Sequence, residues 1–141
     1  MAIASVIFVT VSSAAAQSST PVGTWKTVNE RGEPEAVVRI VEVAGELRGT
    51  VEKVYAPPAP EANPMCIACS GERKDQPVIG MQILAGLRWD GEQYSGGEIL
   101  DPNNGRSYRC LLRLTDGGRK LEVRGYVGVS LLGRTQVWLR D

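Results

Sequence analysis

From Gly23 onward, apolar and polar residues alternate in short runs, and a turn signal interrupts the alternation about every eight to twelve residues. A side-chain period of two belongs to strands, and no segment holds the 3.6-residue period of a helix. The runs predict strands over 23–28, 35–43, 47–55, 80–89, 92–100, 107–114, 120–127 and 134–140. Between them lie tight-turn sequences: Ala44-Gly45, Asp90-Gly91, Asp101-Pro102-Asn103-Asn104-Gly105 and Asp116-Gly117-Gly118. The prediction is an all-β fold, a single eight-stranded antiparallel up-and-down barrel. Closing the sheet on itself leaves no exposed edge.

Alternation also assigns faces. Ala36, Val38 and Ile40 point inward, with Arg39 outward; Leu47, Gly49 and Val51 oppose Arg48, Thr50 and Glu52. Met81, Ile83, Ala85 and Leu87 share one face. So do Tyr108, Cys110, Leu112 and Leu114, and then Leu121, Val123, Gly125 and Val127. Gly96-Gly97 inside a strand predicts a bulge. These inner residues are small to medium in size. They permit a cavity, and a side-chain-filled interior is the alternative.

One stretch breaks the pattern. Residues 56–77 carry proline at 57, 58, 60, 64 and 77, which excludes a central strand or a long helix. A loop of this length in a compact domain is functional or pinned by a crosslink. It contains Cys66-Ile67-Ala68-Cys69. The expectation is a disulfide, either within the Cys66–Cys69 pair or from the loop to Cys110. A thioredoxin-like role needs a helix N-terminus to activate the thiol, and none is predicted here. Structural zinc needs four ligands, one more than three cysteines and no histidine supply. Cys110 sits mid-strand among apolar neighbours, as a buried free thiol or the loop's partner.

Residues 1–16 contain no charged side chain, and Ala14-Ala15-Ala16 matches a small-x-small cleavage site. They are expected to be a signal peptide, although no basic residue precedes the apolar run. Residues 17–22 are expected to form a disordered lead-in, and 23–141 the barrel domain. The apolar run is too short for a transmembrane helix. Cleavage would deliver an exported protein, periplasmic or secreted.

Formal net charge is zero, which gives no overall field to attract nucleic acid. The charge is nevertheless uneven: residues 1–105 hold 8 Lys/Arg and 13 Asp/Glu, and residues 106–141 hold 8 and 3. Arg106, Arg109, Arg113, Arg119, Arg124, Arg134 and Arg140 make the C-terminal third basic. They read as solvated faces paired with acidic strands, or as a docking face. Histidine is absent, so the serines lack an activating base. Glu98 and Asp101 resemble a glycosidase carboxylate pair only in spacing, since Asp101 opens a turn where it caps backbone N–H groups. The expectation is no enzyme, with no catalytic residues, metal or cofactor.

Several blocks appear in a telling order. They are Gly23-Thr24-Trp25; Cys66-x-x-Cys69-x-Gly71; Gly80-Met81-Gln82-Ile83-Leu84; Gly97-Glu98-Ile99-Leu100-Asp101-Pro102-x-x-Gly105-x-x-Tyr108; Leu121-x-Val123-Arg124-Gly125-Tyr126-x-Gly128; and Gly133-Arg134-Thr135-Gln136-x-Trp138. Together they resemble the bacterial exported domain-of-unknown-function family 2147. The resemblance implies a lipocalin-like (calycin-like) barrel and supplies no catalytic residue. Lipocalins place a basic residue against the first-strand tryptophan. Here that implies barrel closure by Gly23, Trp25 and Arg140, with Arg134 as the other candidate.

The leading expectation is a carrier that holds a small apolar or amphipathic ligand in the barrel mouth, lined by Tyr94, Tyr108, Trp89 and the loop around Cys66. The alternative is a non-catalytic envelope interaction module. Its barrel is filled, and it docks a partner through the arginine-rich face or the Cys66–Cys69 loop. Oligomeric state is not specified by the sequence.

Overall fold

The computed structural model describes residues 7, 9, 20–55, 63–129 and 133–141. The expected cleavage site, residues 17–19 of the expected lead-in and the prolines at 57, 58 and 60 therefore lie outside the described residues; Thr20, Pro21 and Val22, expected to be disordered, instead accept hydrogen bonds through their carbonyls. Eight antiparallel strands close one barrel in chain order: β1 (Gly23–Val28), β2 (Pro34–Val43), β3 (Glu46–Val54), β4 (Gln82–Trp89), β5 (Tyr94–Asp101), β6 (Arg106–Thr115), β7 (Lys120–Tyr126) and β8 (Arg134–Arg140). Two single-turn 3₁₀ segments, Gly71–Arg73 and Asp116–Gly118, are the only helical elements among the described residues. No helix there is long and apolar enough to cross a membrane.

Up-and-down order sorts the connections into two ends. The β1–β2, β3–β4, β5–β6 and β7–β8 connections lie at one end, the mouth. Ala44-Gly45, the Asp90 turn, the Asp116 turn and the outer ends of β1 and β8 lie at the other, the base.

The predicted alternation holds through most of the wall. Val38, Ile40, Leu47, Val51, Cys110, Leu112, Leu121 and Val123 are buried, and Arg39 and Glu52 pair outside. β4 departs from it. Gly86 takes a φ of +77°, a conformation that favours glycine, and the β3–β4 register shifts on both sides of Gly49. Leu84 therefore turns inward along with Leu87, where strict alternation assigns Ala85. Gly49 leaves the space that Leu84 occupies: a Cβ there would lie 2.9 Å from Leu84 Cδ1. The bulge expected at Gly96-Gly97 is present as a register shift between Tyr94 and Gly97.

The base is closed by one side chain stacked on another. Trp25 is fully buried, and its Nε1 donates to Pro21 O at 2.7 Å. The Arg140 guanidinium lies 4.3 Å from the centre of the Trp25 ring. Arg140 donates to three carbonyls: Gly118 O at 2.8 Å, Val22 O at 3.1 Å and Thr20 O at 2.9 Å. Its burial disfavours the charge and lowers its pKa, but guanidinium stays protonated. Gly23 makes room, since a Cβ on it would sit 2.8 Å from Arg140 Nη1. Arg134 lies at the mouth end of β8 and bonds Glu30 instead.

At the same end of the barrel, Asp90 caps the β4–β5 turn. Its Oδ1 accepts from Glu92 N and Gln93 N, both at 2.9 Å, and its Oδ2 accepts from Ser95 Oγ at 2.8 Å. The Gln93 amide leads in holding the Asp90 carboxyl below the ordinary aspartate value, followed by the Glu92 amide and Ser95.

Arg140→Lys keeps the charge but loses the planar fork. It is expected to cost about 1–3 kcal/mol, read as a lower urea midpoint with unchanged slope. The Asp90 contribution has an acid-side window. A depressed pKa stabilises the fold above the unfolded-state value and loses that stabilisation as pH falls through the folded value. The gap between wild type and Asp90→Ala is therefore expected to be full at neutral pH and to shrink in strong acid, measured by paired urea titrations.

Candidate functional site

A cavity of about 720 Å³ enters the barrel from the mouth. Its deep wall is apolar, built from Val38, Val51, Ile83 and Val123, with Trp138 buried among them. Trp138 Nε1 is satisfied by Gln136 Oε1 at 3.2 Å, so the ring presents a polar edge already paired. Thr27 is buried in the same wall. Polar groups gather toward the rim: Asn29, Glu33 and Glu35 beside the β1–β2 connection, and Asp101, Asn103 and Asn104 on the β5–β6 turn.

That turn is rigid by its own hydrogen bonds. Asp101 Oδ1 accepts from Asn103 N at 2.9 Å, Asn104 Oδ1 accepts from Arg106 N at 2.9 Å, and Gly105 N donates to Asp101 O at 2.8 Å. Asp101 is thus a capping residue, as an aspartate opening a turn should be.

The β3–β4 loop forms one lip of the cavity. Pro64, Met65 and Val78 contribute to its wall. The loop is pinched into a narrow hairpin: Met65 bridges Pro77, Cys66 N donates to Gln76 O at 2.8 Å, and Val78 N donates to Pro64 O at 2.8 Å. A disulfide joins Cys66 to Cys69, and both cysteines are buried. The bridged segment rests on the β5–β6 turn. Cys66 Sγ lies 3.5 Å from Pro102 O, and a Cβ on Gly105 would collide with Ala68 O. Gly80 N donates to Val51 O at 2.7 Å, which returns the chain to the barrel wall.

Of the two crosslinks left open by the sequence, the structure contains the local one. Cys110 is free and buried in the wall, and burial pushes its thiol up to about 12. It is protonated at neutral pH and inert as a nucleophile.

The expected lining residues separate. Tyr108 lines the cavity, and its hydroxyl accepts from Asn104 Nδ2 at 2.9 Å. Trp89 and Tyr94 do not line it: they flank the Asp90 turn at the base, with ring centroids 5.1 Å apart. Their placement at the mouth is corrected by strand direction, since β4 ends and β5 begins at the base. Tyr55 and Tyr126 border the cavity instead, at the mouth ends of β3 and β7. Counting strand directions from Trp25 is the signal that finds them.

The arginine-rich segment is largely spent on local pairs. Arg113 pairs with Glu122 at 3.0 Å, Arg119 with Asp116 at 2.8 Å and Arg134 with Glu30 at 2.6 Å. Arg124 donates to Thr135 Oγ1 at 2.8 Å. Among the described residues, no three His, Cys, Asp or Glu side chains cluster as metal ligands.

An eight-stranded up-and-down barrel, shut at one end by an arginine on a first-strand tryptophan and hollow at the other, is a lipocalin-type barrel. The chain belongs to the bacterial family DUF2147, described as an uncharacterized protein conserved in bacteria, whose model matches residues 23–140. No curated protein matches it in sequence. Among solved structures it is similar to protein HP1028 from the human pathogen Helicobacter pylori, described as belonging to the lipocalin family. That likeness has a TM-score of 0.72 and 18% identity, and it covers 85% of this chain and 82% of the other.

A thiol count checks the loop. Native protein is expected to show no thiol reactive to Ellman's reagent, denatured unreduced protein one, and denatured reduced protein three. Three before reduction would refute the bridge.

Proposed function

We propose that the protein is an exported, non-catalytic carrier that binds a small apolar or amphipathic molecule in the barrel mouth. The observation that carries this reading is the cavity itself, apolar at depth and polar at the rim. Such a lining buries a ligand's hydrocarbon part while its polar end stays hydrated. Cavities with paired polar groups also avoid the cost of stranding them when water leaves. Export is supported by the uncharged N-terminal run and by a disulfide, which persists in oxidising compartments.

A second reading rests on the loop tip. Ile67, inside the disulfide, is 72% exposed, and a rigid apolar tip of this kind suits docking to a partner.

Native mass spectrometry of protein isolated from the bacterial periplasm tests the carrier reading. A retained small-molecule mass is expected. Val54→Trp, which places an indole in the upper wall, is expected to remove that mass and weaken binding of an environment-sensitive fluorophore at least about tenfold, or ~1.4 kcal/mol. Absence of both adduct and probe binding in the wild type would reject the carrier and favour the docking module.

A further inference from the structure

The charges around the cavity are divided unequally. Glu33, Glu35 and Asp101 line it, and Arg134 is the one basic lining residue among the described residues. Arg134 is also engaged, since its Nη2 donates to Glu30 Oε1 at 2.6 Å. Arg31 borders an adjoining outer depression with Glu30 and Glu35, and is not part of the cavity lining.

Aromatic rings belong to the same lining. Tyr55, Tyr108 and Tyr126 border the cavity. The Lys53 ammonium rests 4.4 Å from the Tyr55 ring centre, outside the cavity lining, so one tyrosine of this rim already carries a cation and Tyr108 and Tyr126 are left for a ligand.

These features act in one direction. An anionic head group entering with its chain in the apolar well finds one cation in the lining, Arg134, whose Nη2 is already shared with Glu30, against three carboxylates. A cationic head group meets those carboxylates and the Tyr108 and Tyr126 rings. We infer that the cavity selects an amphiphile with an apolar tail and a cationic amine or quaternary ammonium head, held at the rim by Glu33, Glu35 and Asp101. This rests on the cavity being the ligand site proposed above.

The test holds the tail constant and varies the head. Decyltrimethylammonium, decanoate and decanol, all below micellar concentration, compete with the fluorophore in wild-type protein. The cation is expected to bind at least about tenfold tighter than decanoate at low salt. The margin should narrow as salt screens the rim. Glu33→Gln/Glu35→Gln, two exposed changes that leave the barrel wall intact, should narrow it as well, with decanol binding unchanged. Equal affinities, or tighter decanoate, would overturn the head-group inference while leaving a ligand site in place. So would cation binding that survives in Val54→Trp, because it would lie outside the cavity. Failure of all three to bind would reject the ligand reading and the inference with it.

Discussion

The barrel depends on a short seam. β1 and β8 pair at only two positions, Trp25 with Arg140 and Lys26 with Leu139, whereas the β7–β8 ladder runs over six. So short a ladder is weak on its own. Arg140 reinforces it by tying the carbonyls of Thr20, Val22 and Gly118 to one planar group stacked on Trp25. Asp141 N adds a further bond to Thr24 O at 2.9 Å. A guanidinium suits this position because its fork matches several acceptors at once and its flat face stacks on an indole. Glycine at 23 suits a φ of +136° and leaves room for the fork, which a Cβ would meet at 2.8 Å.

A sealed base gives the barrel polarity. Large rings and leucines fill the lower interior: Trp25, Leu47, Leu87, Leu112 and Leu121 are all essentially without exposure. Above them the inner positions shrink to Val38, Val51, Val123, Ala36 and Gly125, and the interior stays hollow. The size gradient along each strand therefore decides where space remains. The rim carries its polar groups on turns that satisfy their own backbone, as at Asp101 to Arg106, so those groups can face solvent or a ligand without the barrel giving way.

Much of this was readable from the residues. Period-two patterning and turn sequences located all eight strands to within two residues, because half-buried strands and Gly/Asp/Asn turns leave strong local signals. The face assignments hold where the strands are regular. They slip at β4, where a bulge at Gly86 depends on the neighbouring strand and leaves no mark in alternation alone. The lining of the mouth was only partly readable. Tyr108 lines the cavity, while Trp89 and Tyr94 lie at the base, because aromatic character does not say which end of a strand a residue occupies. Which end a strand terminus occupies is a property of the whole topology. The choice between a local bridge and one to Cys110 likewise depended on distances that spacing does not carry.

The Cys66–Cys69 bridge closes a very small ring, so it removes little freedom from the unfolded chain. The loop-entropy estimate is about 2 kcal/mol, against roughly 5 for a crosslink spanning a hundred residues. Joining the lip to Cys110 would have braced the barrel as a whole. The local bridge instead sculpts one lip and leaves the strands to hold themselves. Barrel and lip thus answer to different forces, hydrophobic burial for one and sulfur chemistry for the other.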